Sequence, residues 1–288
     1  MIGLRRISAK LLTPILRSNR TCKNFVLTKY CSSVPQESKI TVNGIKINYV
    51  KVGNGPKPVL CLPGAIGSIW SDFKPQVESL DRTKFTVVAW DPPGYGNSRP
   101  PTREFPLNFL EKDADWAVKF MQALSINRFS MLGWSDGGMS AMILASKYPD
   151  LVDRMVIWGG SAYIIEKEVK LFEGMRDVST WSERMRAPLE KLYGKEEFAA
   201  MWGRWVDAQL GIYKERGGDI LKACLPKISC PTLIVHGSKD PMVAPEHPPY
   251  LVQNIRNSRL HVFEEGKHNL HLRFATEFNA LVTDFLTK

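Results

Sequence analysis

The sequence predicts an α/β fold: a mostly parallel sheet with helices on both faces and a helical lid inserted after the sixth strand. Two observations predict it. Short apolar runs ending in Gly, Pro or Asp alternate with stretches of helical periodicity, the mark of parallel strands joined by crossover helices. Between one such run and the next helical stretch stands Gly133-Trp134-Ser135-Asp136-Gly137, and parallel sheets collect their functional residues at strand-to-helix turns of this kind. The 288 residues, 44% hydrophobic and 24% charged, suffice for one large domain with a dry site and argue against a disordered or fibrous chain.

In chain order the first segment is a basic tail. Residues 1–36 hold seven basic side chains and no acidic one, and Leu4, Ile7, Leu11 and Ile15 keep helical spacing. Residues 1–38 are therefore expected to be a mitochondrial transit peptide or a disordered tail. Lys10 and Pro14 break the apolar run a secretory signal needs, and no stretch of about 18 apolar residues is available to span a membrane. Seven of the ten net positive charges lie in this tail; the remaining 32 basic and 29 acidic residues leave +3, too little to imply a nucleic-acid partner. Cys22, Cys31, Cys61, Cys224 and Cys230 form no C-x-x-C pair, which argues against a disulfide framework or zinc site and fits a reducing compartment.

Residues 39–162 and 228–288 are expected to form the sheet and its helices. "ITVNGIKINYV" reads as a hairpin around Asn43-Gly44, a dipeptide that accepts positive φ at both turn positions. Strand candidates follow at Val59–Leu62, Phe85–Trp90, Phe129–Leu132, Met155–Trp158, Thr232–Val235 and Arg259–Phe263. Helix candidates are Ser71–Leu80, Pro106–Leu124, Gly137–Lys147, Glu246–Asn254 and Leu270–Leu286, with Pro106 suited to a first turn. Residues 163–227 interrupt the alternation with three or four helical patterns and no strand. They carry Phe172, Trp181, Tyr193, Phe198, Trp202 and Trp205, aromatics suited either to roofing a site or to packing against one another.

The chemistry starts at Ser135. A Gly-x-Ser-x-Gly between strand and helix matches a nucleophile elbow, a tight turn whose glycines avoid backbone collisions and whose helix N-terminus favours a developing oxyanion. A serine nucleophile needs a base and the base an orienting acid. Asp240, in "LIVHGSKDPMV", and His268, in "FEEGKHNLH", each follow a strand candidate. His271 is the rival base, three residues past His268; His236 ends a strand and His261 lies within one. The amides of Ala65, in "CLPGAIGS", and of Asp136 are the candidate oxyanion pair. The order Ser135, Asp240, His268 is that of the α/β-hydrolase fold.

"VVAWDPPGYGNSRPP", "LGWSDGG", "VIWG", "LIVHGSKDP" and "EGKHNLHLRF" together resemble the valacyclovir hydrolase (biphenyl hydrolase-like) family of that fold, over about residues 39–286. The resemblance implies a mitochondrial serine hydrolase that cleaves esters of α-amino acids, amino-acid ester prodrugs included. It implies Ser135, Asp240 and His268 as the triad and Asp136 as the carboxylate that binds the substrate α-amino group. Electrostatics supplies a separate reason for that last role. A carboxylate roughly 5–6 Å from an oxyanion opposes it by about 3 kcal/mol at an effective dielectric near 20, more than the 0.3–1 kcal/mol or so it gains at a helix N-terminus. A substrate ammonium removes the conflict. Thioesterase or thiolactonase activity and carbon–carbon bond hydrolysis use the same triad, though the latter's anionic substrates conflict with Asp136. Ser135 does not fit fold members with an aspartate nucleophile, and an intact triad argues against an idle ligand receptor. The expected partners are a small-molecule ester and water. No cofactor, metal, nucleic acid or membrane span is expected, and the chain is expected to be a monomer.

Overall fold

The computed structural model describes residues 35–288; the transit-peptide expectation falls almost wholly outside them. Residues 37 and 38 belong to the folded unit. Glu37 accepts hydrogen bonds from Trp70 Nε1 (2.6 Å) and Asn97 Nδ2 (2.9 Å), and Ser38 opens the first strand.

Among the described residues eight strands form one sheet: β1 (Ser38–Val42), β2 (Ile45–Val52), β3 (Lys57–Leu62), β4 (Phe85–Trp90), β5 (Phe129–Trp134), β6 (Val152–Trp158), β7 (Thr232–Gly237) and β8 (Ser258–Phe263), in the order β1-β2-β4-β3-β5-β6-β7-β8. Both pairings of β2 are antiparallel and all others parallel. The β1–β2 hairpin turns at Asn43 (φ 48°) and Gly44 (φ 81°), two positive values in succession that suit strand twist and that Asn-Gly adopts readily.

Ten α-helices accompany the sheet among the described residues. They are α1 (Ile69–Asp72), α2 (Lys74–Ser79), α3 (Phe109–Ala123), α4 (Asp136–Lys147), α5 (Glu166–Gly174), α6 (Glu183–Tyr193), α7 (Lys195–Arg216), α8 (His247–Asn254), α9 (Leu270–Arg273) and α10 (Ala275–Thr287). Successive strand residues feed opposite faces: Val59 and Cys61 of β3 pack with α1, α2, α9 and α10, while Leu60 and Leu62 pack with α3, α4 and α8. A sheet buried on both sides reads in sequence as an unbroken apolar run, which is why "PVLCL" and "MVIW" show no alternation.

Three expected helices differ in extent. Ser71–Leu80 is two short helices parted at Phe73 (φ −124°), because Pro75 has no N–H to give the preceding turn and its ring obstructs the carbonyl four residues back. Helix α3 begins at Phe109, since Pro106 instead accepts the Phe109 amide in a turn (2.8 Å). Leu270–Leu286 breaks at Phe274 (φ −109°, ψ 41°), near His271, whose two ring nitrogens are bonded to Trp158 of β6 and to the Asp72 carbonyl of α1.

Residues 163–227 form α5–α7 with short 3-10 turns, and their two arms pinch together at the base. Tyr163 pairs with Asp219, and the Ile164 amide donates to the Gly218 carbonyl at 2.8 Å. Trp181, Phe198 and Trp202 pack against one another, with centroids 4.7–5.7 Å apart, so these aromatics are the insertion's own core. Trp202 stacks on Trp205 at 4.5 Å, and Trp205 and Phe172 reach further, into the cavity described next. Among the described residues no helix is long and apolar enough to cross a membrane.

Candidate active site

Ser135 joins β5 to α4 with φ 55° and ψ −121°, a strained conformation for a residue with a side chain. Its neighbours explain why the turn can close. A Cβ on Gly137 would overlap the Leu62 carbonyl, and one on Gly133 would stand 2.6 Å from the Gly137 oxygen. The Ser135 amide donates to the Trp158 carbonyl (2.9 Å), and its carbonyl accepts the Gly138 (2.9 Å) and Met139 (3.1 Å) amides. Its hydroxyl caps no helix amide, which leaves Oγ for the cavity at the carboxyl edge of the sheet.

His268 and Asp240 arrive from separate loops. Asp240 follows β7, where Oδ1 accepts the amides of Met242 (2.8 Å) and Val243 (3.2 Å). His268 follows β8, its carbonyl accepting Trp134 Nε1 (2.9 Å) and its ring lying over Gly159, where a Cβ would come within 2.9 Å of Cε1. Nδ1 of His268 lies 3.0 Å from Asp240 Oδ2 and 3.2 Å from Oδ1. Burial pushes the Asp240 carboxyl up, but the hydrogen bond and charge of His268 and the two amides outweigh it and hold the group below its ordinary value. An ionised Asp240 fixes the proton on Nδ1 and leaves Nε2 as the free acceptor. Ser135 and His268 line one cavity of about 40 Å³, room for a few waters.

The other histidines are occupied or remote. His271 accepts Trp158 Nε1 at Nδ1 (2.8 Å) and donates from Nε2 to the Asp72 carbonyl (2.7 Å); burial pushes it down to about 3, so it is a neutral structural link. His261 is exposed on β8, and burial lowers His236 at the end of β7. His247, which no sequence motif singled out, is buried with Nε2 2.9 Å from Glu168 Oε1.

The loop after β3 runs beside the elbow: a Cβ on Gly64 would be 3.3 Å from that of Ser135. Buried Asp72 anchors this loop by accepting the Gly64 amide (2.9 Å), and Tyr193 of the insertion donates to the Ile66 carbonyl (3.0 Å). Ile66 has φ 58°, unusual for a β-branched residue. The Ala65 amide meets no acceptor among the described residues, and the Asp136 amide, first in α4, has no partner within its helix.

Asp136 is buried (4% exposed) and faces the same cavity. Its Oδ2 accepts Trp205 Nε1 at 2.8 Å, while Oδ1 has no partner among the described residues. Burial pushes the carboxyl up to about 7, against the pull of the Trp205 bond. Trp205 lies 69 residues away in sequence, with no local signal to pair it with Asp136 beyond its place in an aromatic-rich insertion. Gln209, one turn further along α7, and Glu168 of α5 also line the cavity and were not singled out by any motif.

The sequence matches the alpha/beta hydrolase fold family over residues 57–191 and 180–275. It is 52% identical to the serine hydrolase BPHL of Mus musculus over 249 residues, covering 86% of each chain. It is 51% identical to that of Homo sapiens, again with 86% of each chain covered. A 2-hydroxy-6-oxononadienedioate/2-hydroxy-6-oxononatrienedioate hydrolase of a Pseudomonas species is 27% identical, over 86% of this chain and 93% of its own. Among solved structures, a mutant meta-cleavage product hydrolase (CumD) of Pseudomonas fluorescens superposes with TM-score 0.70 at 23% identity, over 87% of this chain and 97% of its own.

Proposed function

The chain belongs to the alpha/beta hydrolase fold family and is a serine hydrolase, and from that premise we propose that it cleaves esters of α-amino acids, amino-acid ester prodrugs included, through an aminoacyl-enzyme on Ser135. Asp136 carries the reading. Asp136 lines the cavity, and a buried carboxylate with one oxygen tied to Trp205 and the other enclosed without a partner is costly without a counter-charge; no cation of the protein bonds to it among the described residues. The ammonium of an α-amino ester supplies that charge one carbon from the scissile carbonyl.

In this mechanism Ser135 Oγ attacks the ester carbonyl as its proton passes to His268 Nε2, and Asp240 holds the imidazole and stabilises its positive charge. The amides of Ala65 and Asp136 receive the oxyanion. The tetrahedral intermediate collapses, His268 returns the proton to the departing alkoxide, and an alcohol leaves. Water then attacks the aminoacyl-enzyme with His268 again as base, freeing the amino acid and Ser135. Helices α5–α7 act as the lid over this chemistry, and the basic segment of residues 1–36, which ends before Glu37 and Ser38 enter the folded unit, acts as a mitochondrial import signal. A thioester would react by the same steps. The Pseudomonas relative is named for a dicarboxylate, which Asp136 would repel, so that substrate class is disfavoured here.

Two measurements test the proposal. Benzyl esters of alanine with a free and with an N-acetylated amine are compared on the wild type and Asp136→Asn. The wild type is expected to favour the free amine in kcat/KM by roughly 30- to 300-fold, the scale of a buried charge pair, and the variant to lose most of that preference. Equal wild-type rates on the two esters would overturn the ammonium reading. Ser135→Ala is expected to lose at least about a thousandfold in kcat together with covalent labelling by a fluorophosphonate; retained turnover refutes Ser135 as nucleophile.

A further inference from the structure

Asp72 ends α1 and is 3% exposed. Its Oδ2 accepts the Gly64 amide at 2.9 Å and its Oδ1 the Ser71 hydroxyl at 2.6 Å. A Cβ on Gly67 would collide with the same carboxylate, so the loop after β3 is wrapped tightly around it. The Gly67 amide donates to the Gly64 carbonyl at 3.1 Å, closing a turn with Ala65 and Ile66 at its centre. The Ala65 amide therefore stands in a turn whose first residue Asp72 pins and whose last residue packs on it. The backbone of Asp72 is fixed from the other side. Its carbonyl accepts His271 Nε2 at 2.7 Å, His271 Nδ1 accepts Trp158 Nε1 at 2.8 Å, and the Trp158 carbonyl accepts the Ser135 amide at 2.9 Å. This chain of bonds spans from the nucleophile to the loop beside it. Burial pushes the Asp72 carboxyl up to about 7, against the bonds from Ser71 and Gly64. A position that served packing alone would take an apolar side chain and avoid that cost.

We propose that Asp72 is a positioning residue for catalysis, its carboxylate setting where the Ala65 amide stands relative to Ser135 and hence how strongly the oxyanion is bound. This rests on the Ser135 mechanism above and not on the choice of substrate. Donors preorganised for an oxyanion act on the transition state more than on the bound ester. Loss of Asp72 therefore lowers kcat and spares KM, and it does so for charged and uncharged esters alike.

The test compares the wild type, Asp72→Ala, Asp72→Asn and Gly67→Ala on p-nitrophenyl acetate and on free-amine alanine benzyl ester. Turnover is counted per active site by fluorophosphonate titration carried to completion, so that unfolded protein does not contribute. In Asp72→Ala kcat is expected to fall roughly 30- to 300-fold on both esters, the scale of one misplaced oxyanion donor, with KM changed by less than about threefold. Phenylboronic acid, which forms a tetrahedral adduct on a serine hydroxyl, should inhibit more weakly by a similar factor. Asp72→Asn keeps an oxygen for the Gly64 amide and is expected to restore kcat to within about threefold of the wild type. Gly67→Ala, which drives the carboxylate off the loop while retaining it, should reproduce the loss and decides the matter should Asp72→Ala not fold. Unchanged kcat per site in a folded Asp72→Ala or Gly67→Ala overturns the inference, as do equal losses in Asp72→Ala and Asp72→Asn, and these results leave the Ser135 mechanism standing. Turnover that survives Ser135→Ala overturns both.

Discussion

Asp136 is held where ionisation is difficult, and under the proposed α-amino ester reading that difficulty is the source of selectivity. Burial raises its carboxyl to about 7, so the charge an ammonium needs is absent well below that pH and present above it. The substrate loses its own charge above roughly pH 8, the ordinary range of an α-amino group. The ratio of kcat/KM for free-amine over N-acetylated ester is therefore expected to climb as pH rises through about 7 and to fall again in the alkaline range. Taking the ratio cancels the titration of groups that serve both substrates. In Asp136→Asn the acid limb of the ratio should be missing; an unchanged acid limb in that variant would assign it to another group.

At the scale of the element, α7 sets the state of Asp136. The Trp205 bond favours the ionised carboxyl against burial, and Trp205 is itself fixed by stacking on Trp202 and by edge contact with Phe172 at 5.4 Å. Trp205→Phe keeps the ring packing and removes the donor. A hydrogen bond to a charged group is worth about 1.5–3 kcal/mol, so the acid limb of the pH–ratio profile should move up by about one unit or more. Activity on free-amine esters should then fall further at pH 6.5 than at pH 8.5, while N-acetylated esters change little. A uniform loss on both substrates would show that Trp205 only supports the packing of α7. The elbow between β5 and α4 shows the complementary case. There the constraint is steric, and although Gly137 is needed against the Leu62 carbonyl of β3, Gly133, Ser135 and Gly137 announce the turn within five residues.

At the scale of the molecule, the chain joins a basic segment to a nearly balanced enzyme body. If the segment is an import signal, residues 1–38 fused to a fluorescent protein should carry it to mitochondria; diffuse cytosolic fluorescence would refute that role. Within the body, the candidate catalytic constellation spans Ser135 to His268 and draws on the ends of β5, β7 and β8, with the loop after β3 beside them. Their convergence follows from the strand order, since β5, β6, β7 and β8 lie side by side and parallel, presenting their carboxyl ends along one edge.

The sequence by itself determined the features that obey a local rule: the Asn43-Gly44 hairpin, the alternation of strands and helices, the elbow at Ser135, and the order in which Asp240 and His268 follow it. Each is fixed by periodicity or by backbone sterics within a few residues. Only the tertiary structure decided which histidine is free. His268 and His271 look alike three residues apart, and they differ because Trp158 and the Asp72 carbonyl occupy both nitrogens of one while Asp240 holds a single nitrogen of the other. It likewise decided that Trp205 bonds Asp136 and that Gln209 is enclosed without a partner. Those relations join residues dozens of positions apart, and the hydrogen bonds and desolvation that define them arise only when the insertion packs over the sheet.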